Sequence, residues 1–220
     1  MVIQNGVEIP KLPAVKASDI WDRTRNRRIV LFVGRLNPIK HLDLQLEAVH
    51  LLRRAYPDLL WVLIGPDDGE WARLSRRVDQ LHMRDQVLWL GPIYDERRFI
   101  AMRDASALLQ TSHHEAHSMT VNEGLAVGVP LVVTTNVNFP AIATCGAGMV
   151  VEERAECVAG AIEFVLAHDS AAEQMRQAGR KFAATNLSWR AVAEEFLAVV
   201  VSQVSGLPNH HGNQPGGEGA

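Results

Sequence analysis

Apolar runs alternate with amphipathic segments along this chain, the runs are unbroken, and the links between them are short. Together these observations predict an α/β domain on a doubly wound, parallel sheet. The runs Ile29 to Gly34, Leu59 to Ile64 and Val87 to Leu90 contain no charged or amide side chain. A strand buried on both faces loses the in-out alternation of a half-solvated one and reads as continuous.

The elements follow in order. A proline-punctuated lead-in, residues 1–26, ends at about Asn26. Ile29 to Gly34 is the first strand, and Leu42, Leu46, Val49 and Leu52 recur at helical spacing after it. A strand at Leu59 to Ile64, a helix from about Glu70 to Leu81 and a strand at Val87 to Leu90 come next. After Gly91 and Pro92, a short helix around Asp95 to Met102 leads into a buried strand at Ala107 to Gln110. A helix beginning after Ser118 stops at the Gly128 break, followed by strands at Val129 to Val133 and Met149 to Val151. From Ala155 to Val204 the pattern is helical, broken at His168-Asp169 and Leu187-Ser188. Trp189 reads as a large apolar anchor, and these helices should pack back onto the domain. The main domain thus spans 27–204, and residues 205–220, poor in apolar side chains, form a tail expected to be disordered.

A chain of 220 residues suffices for one large domain or two small ones. A net charge of −3 without a long basic run gives no footing for nucleic-acid binding. Two cysteines, Cys145 and Cys157, form no C-x-x-C pair, and MVIQNGVEIPKL lacks the basic start and apolar core of a signal peptide, so a reducing cytoplasm is expected. No run of about twenty apolar residues is available for a transmembrane segment, which leaves peripheral membrane contact open.

Function-bearing residues cluster after the strands. Arg35 and Lys40 follow the first strand in GRLNPIKH, where Asn37-Pro38 reads as a helix N-cap with proline in the first turn. A cation in a first helical turn opposes the helix dipole, so these residues either hold an anion such as a diphosphate or are solvated at a turn. Glu115 and Glu123 follow the Ala107 strand and lie near its carboxyl end, the edge at which open α/β sheets bind ligands. Thr120 to Glu123 matches a capping box, which would give Glu123 a structural role, but Ser118 is an equally good N-cap and would free it. Glu115 either accepts hydrogen bonds from sugar hydroxyls or lies in a solvated loop.

His113, His114, Glu115 and His117 offer metal-ligand chemistry, but their spacing is not H-E-x-x-H and straddles a loop, so no metal site is expected. No G-x-S-x-G elbow, G-x-x-x-x-G-K-[ST] loop or G-x-G-x-x-G loop is present, which removes the usual support for hydrolase, kinase and dehydrogenase readings.

From about Val2 to Val200 the chain resembles the retaining GT-B glycosyltransferases of family four, the group 1 glycosyl transferases. The likeness is carried by Asn5-Gly6-Val7, Gly34-Arg35 with Lys40, Gly65-Pro66, Leu90-Gly91-Pro92-Ile93, the E-x7-E pair Glu115 and Glu123, and Gly128-Val129-Pro130, all in family order. It implies a Rossmann-like domain, the carboxyl-terminal half of a GT-B fold, whose donor substrate is a nucleotide-diphosphate sugar, with no separate cofactor. Arg35 and Lys40 would hold the diphosphate, Glu123 the ribose hydroxyls and Glu115 the transferred sugar. Amides around Ser118, Met119 and Thr120 would face the phosphate and sugar, and Ile93 would border the base. Catalysis would fall to Glu115, Arg35 and Lys40, the cations stabilising charge that develops on a departing diphosphate.

The sequence departs from the family at His41, where glycine is usual, at Ala116-His117-Ser118, in place of Gly-Phe-Gly, and at Ala141, where glutamate is frequent. Its length matches the donor-binding half alone. The expectation is therefore a hexosyltransferase-type donor domain, inactive or incomplete until a separate acceptor-binding domain or subunit supplies the other half. The alternatives are a non-catalytic nucleotide-sugar-binding protein or a truncated gene fragment, with a metal-dependent hydrolase built on the histidines ranked behind them.

Overall fold

The structure, a computed structural model, describes residues 5–8 and 10–205, with side chains as far as Val201. The predicted disordered tail, including His210 and His211, lies outside the described residues apart from Ser205, which ends the last helix.

Six parallel strands make one sheet: β1 (Arg28–Val33), β2 (Leu59–Ile64), β3 (Val87–Trp89), β4 (Ala107–Gln110), β5 (Leu131–Thr134) and β6 (Gly148–Val151). Their order is β3-β2-β1-β4-β5-β6, so the chain winds outward from β1 through β2 to β3, then returns to the other side of β1. That reversal puts a crevice between the carboxyl ends of β1 and β4. The doubly wound, Rossmann-like sheet is as the sequence predicts.

Alternation within each strand explains the unbroken apolar runs. Ile29, Leu31 and Val33 of β1 join one core with Leu60, Val62 and Ile64 of β2. Val30 and Phe32 join the opposite core with Leu59, Trp61 and Leu63. Helices α2 (Leu42–Leu52), α3 (Trp71–Gln80) and α7 (Ala155–Ala167) cover the second core. The first is covered by α1 (Ala17–Ile20), α4 (Arg97–Asp104), α5 (Met119–Val127) and α6 (Ala141–Cys145), with α8 (Asp169–Phe182) packed on α5. Part of the lead-in thus belongs to the packed body: Ala17 is buried, and its amide donates to Asp104 Oδ2 at 2.7 Å.

The last helix, α9 (Trp189–Ser205), follows a π-turn at Ala183–Leu187. Val7 N–H donates to Leu187 O at 2.7 Å, tying the start of the described chain to this turn. Trp189, read as a large apolar anchor, packs its ring against the start of the described chain. It remains 60% exposed, its ring lying so close over Gly6 that a Cβ there would sit 2.5 Å from Trp189 Cδ2.

A buried polar network, not evident in the sequence, fastens α2 to the sheet beneath the crevice. Gln45 accepts from Trp61 Nε1 at 3.2 Å and donates to Thr111 Oγ1 at 2.8 Å. Thr111 Oγ1 in turn donates toward Lys40 O at 3.1 Å. Gln45→Leu strands the Trp61 donor, so a loss of about 1–3 kcal/mol is expected, read in chemical denaturation as a lower midpoint at an unchanged slope.

Candidate functional site

Two loops build the crevice. The first leaves β1 at Gly34, whose N–H donates to Ile64 O at 2.9 Å, and stays paired with the loop after β2 through Leu36 N–H to Pro66 O at 2.9 Å. The second leaves β4 at Thr111 and ends at the start of α5. His113 N–H donates to Ile39 O at 2.9 Å, and this bond, with the Thr111 hydroxyl on Lys40 O, fastens the two loops side by side.

That fastening joins two predicted site residues distant in sequence. Lys40 Nζ forms a salt bridge with Glu115 Oε1, and both side chains are largely buried, 18% and 12% exposed. The same carboxylate oxygen accepts from Ser112 Oγ at 2.7 Å. Glu115 is therefore held in place rather than idle in a solvated loop.

Asn37-Pro38 does open a helical turn that contains Lys40, but it is a 3-10 turn and not the start of α2. The Asn37 side chain makes no cap hydrogen bond: its Oδ1 has no partner among the described residues, while its Nδ2 donates to Asp68 Oδ2 at 3.2 Å. Pro38–Lys40 form a 3-10 turn, and α2 begins only after His41, which adopts a left-handed conformation with φ 49° and ψ 50°. The helix-dipole argument thus does not apply to Lys40, whose position is set by Glu115 and the Thr111 hydroxyl. The left-handed backbone at His41 is one that strains a side chain.

The capping question resolves against the Thr120 box. Ser118 is the N-cap of α5, its Oγ accepting from Val121 N–H at 3.4 Å, and Glu123 sits a turn further on. Glu123 Oε1 instead accepts from Arg98 Nη2 at 2.8 Å, with the glutamate side chain 17% exposed. Met119 and Thr120 supply the first two amides of α5, which precede the helical ladder and find no acceptor among the described residues. The Thr120 hydroxyl is already engaged, donating to Val33 O at 3.2 Å.

Arg35 and Ile93 stand apart from this group. Arg35 is largely exposed and pairs weakly with Asp68 at 3.4 Å. Ile93, in the loop after β3, is half-buried against the core, and the neighbouring Tyr94 O accepts from Arg98 Nη1 at 2.6 Å. Arg98 thus joins that loop to Glu123. Tyr94, Arg98, Met119 and Glu123, with Gly6 and Trp189, line a cavity of about 400 Å3.

Two cations, two carboxylates and the amino end of α5 therefore surround one sheet edge. Such a set can take an anion at the amides and cations and hydroxyl groups at the carboxylates. Sequence reasoning missed Arg98, whose only mark is being the second of two adjacent arginines on α4, and Ser112, the second of two adjacent hydroxyl residues after β4. It also missed Glu153, which lies after β6 and reaches His41 and His113. Of the histidine cluster His113, His114, Glu115 and His117, the fold draws only His113 into that contact. His117 lies against Asn122 instead, its Nε2 at 3.0 Å from Asn122 Nδ2. Among the described residues, no helix is long and apolar enough to cross a membrane.

The family model for glycosyl transferases group 1 matches residues 16–182. A D-inositol 3-phosphate glycosyltransferase from Geodermatophilus obscurus is 29% identical over 217 residues, covering 90% of this chain and 46% of the relative. Among solved structures, Anabaena Alr3699/HepE in complex with UDP superposes with a TM-score of 0.82 at 17% identity, covering 92% of this chain and 57% of that one. The C-terminal domain of a group 1 family glycosyl transferase (LpcC) from Francisella tularensis superposes with a TM-score of 0.70 at 20% identity, covering 80% of this chain and 95% of that domain. At these identities the structures speak for the fold. The chain spans about half the length of the curated relatives it matches.

Proposed function

Because the chain belongs to the glycosyl transferases of group 1, we propose that it is the donor-binding part of a retaining glycosyltransferase and takes a nucleotide-diphosphate sugar in the crevice between β1 and β4. The observation that carries this reading is the Lys40–Glu115 salt bridge beside the free amides of α5. A ligand with adjacent anionic and hydroxyl groups divides that pair: the diphosphate takes Lys40, and a sugar hydroxyl donates to Glu115.

In transfer, the bond from the sugar's anomeric carbon to the diphosphate breaks with its electron pair leaving on the phosphate oxygen. An acceptor hydroxyl oxygen forms the new bond on the same face and gives up its proton to the departing phosphate oxygen. Lys40, Arg35 and the amides of Met119 and Thr120 stabilise the charge on the departing oxygen. Glu123 accepts from ribose hydroxyls, oriented by Arg98, and Ile93 borders the base. A further acceptor-binding domain or subunit completes the reaction. The two free thiols, Cys145 and Cys157, suit a reducing compartment, and we place the activity in the cytoplasm.

The test is thermal melting of the purified chain with UDP, GDP and ADP and their sugars. A ligand at about 100 times its dissociation constant adds about 2.7 kcal/mol, which raises Tm by roughly 5–10 °C in a domain of this size. UDP is the first to try, given its place in the Anabaena complex. One base series should stabilise the chain, with the shift reduced in Glu123→Ala; equal and negligible shifts for every nucleotide would sink the proposal.

A further inference from the structure

The loops after β1, β4 and β6 bring together three groups that donor binding does not use. Glu153 Oε1 lies 2.8 Å from His41 Nδ1 and 2.6 Å from His113 Nδ1. The two imidazoles stack with centroids 4.0 Å apart at 27°. One ligand atom from each of the three residues lies within 4.8 Å of the others. The second carboxylate oxygen of Glu153 accepts from Asn136 Nδ2, which fixes the carboxylate plane. His41 holds its place although its backbone is left-handed, a strain that persists where surrounding contacts demand it.

From this geometry we propose that His41, His113 and Glu153 form a binding site for a zinc-class divalent cation, with water completing the coordination. Two imidazoles and a carboxylate are a ligand set that favours zinc and its neighbours over magnesium. Bonds of about 2.0–2.2 Å to a tetrahedral zinc put ligand atoms roughly 3.3–3.5 Å apart. The present separations of 2.6 and 2.8 Å therefore open by less than about 1 Å as the ion enters. Each imidazole gives its Nδ1 lone pair to the metal and carries its proton on Nε2. Asn136 supplies the supporting hydrogen bond that metal-bound carboxylates require.

The bound ion ties together three loops that otherwise meet through hydrogen bonds. His41 adjoins Lys40 and His113 stands two residues before Glu115, so the ion would stiffen the crevice from its edge. The inference does not depend on which ligand the crevice takes, or on catalysis.

The experiment is metal analysis of the full chain, carrying His210→Asn and His211→Asn to remove the tail imidazoles, after chelation and equilibration with zinc or magnesium. About one zinc per chain and negligible magnesium are expected, with a higher Tm in zinc. His113→Asn and Glu153→Gln should each weaken zinc binding roughly 10–100-fold or more. His41→Gly separates ligation from folding: it relieves the left-handed strain, so without metal it should melt no lower than its parent, yet it should lose the zinc. Less than about a tenth of a zinc per chain in the parent, or undiminished zinc in both His41→Gly and Glu153→Gln, overturns the proposal.

Discussion

Gly65→Ala is expected to lower Tm by roughly 8–16 °C, the largest stability effect of any single methyl group added near the crevice. A Cβ at Gly65 would lie 1.8 Å from Gly34 O, a backbone atom that cannot swing aside, and Gly65 has φ +148°, which L side chains rarely adopt. Overpacking and backbone strain each cost about 1–3 kcal/mol, so a loss near 4 kcal/mol follows, at about 2–4 °C per kcal/mol. Gly146→Ala is the control, since it also has positive φ, +75°, but nothing lies within 4 Å of its added Cβ. It should cost only the strain. The clash has a functional side as well, because Gly34 leads directly into Arg35, and any nucleotide-induced melting shift should shrink in Gly65→Ala beyond what lost stability explains. Similar melting of the two variants would mean that the loops after β1 and β2 do not approach as described.

The sheet was legible in the sequence because its signal is local. Strands such as Leu59 to Ile64 are apolar throughout since both faces are covered, and the Ala107 to Gln110 strand is recovered to the residue. Elements fixed by few contacts were not legible. The short helices α1 and α6 carry no periodicity long enough to read, and the π-turn at Ala183–Leu187 passes for ordinary helix. At the site, position after the strand ends pointed to Lys40, Glu115 and Glu123, which the fold carries on the segments that follow β1 and β4. What sequence could not supply was pairing: Lys40 with Glu115, Glu123 with Arg98, and Glu153 with two histidines all depend on which strand ends the topology makes neighbours. Asn37-Pro38 is a sound helix start and does open a turn that contains Lys40, yet it is a 3-10 turn that ends at the left-handed His41, before α2.

Lys40→Ala should uncouple binding from folding in a way that tests the salt bridge directly. Loss of one charge-assisted contact to a diphosphate costs about 1.5–3 kcal/mol, so nucleotide affinity should fall roughly 10–150-fold. Stability falls as well, because the Glu115 carboxylate, 12% exposed, is left with only the Ser112 hydroxyl. Removing one member of a buried ion pair costs about 3–5 kcal/mol, and the partial exposure here brings that down to about 1–3 kcal/mol. Adding Glu115→Gln removes the stranded charge. The double variant Lys40→Ala/Glu115→Gln should therefore regain stability over Lys40→Ala while binding nucleotide no better. Arg35→Ala supplies the contrast: its pair with Asp68 is largely exposed, so stability should change by no more than about 1 kcal/mol while affinity still drops. Isothermal titration alongside denaturation reads both quantities. If the double variant recovers affinity together with stability, Lys40 acts by supporting the loop rather than by contacting the diphosphate, and the anion site would then rest on Arg35 and the first amides of α5.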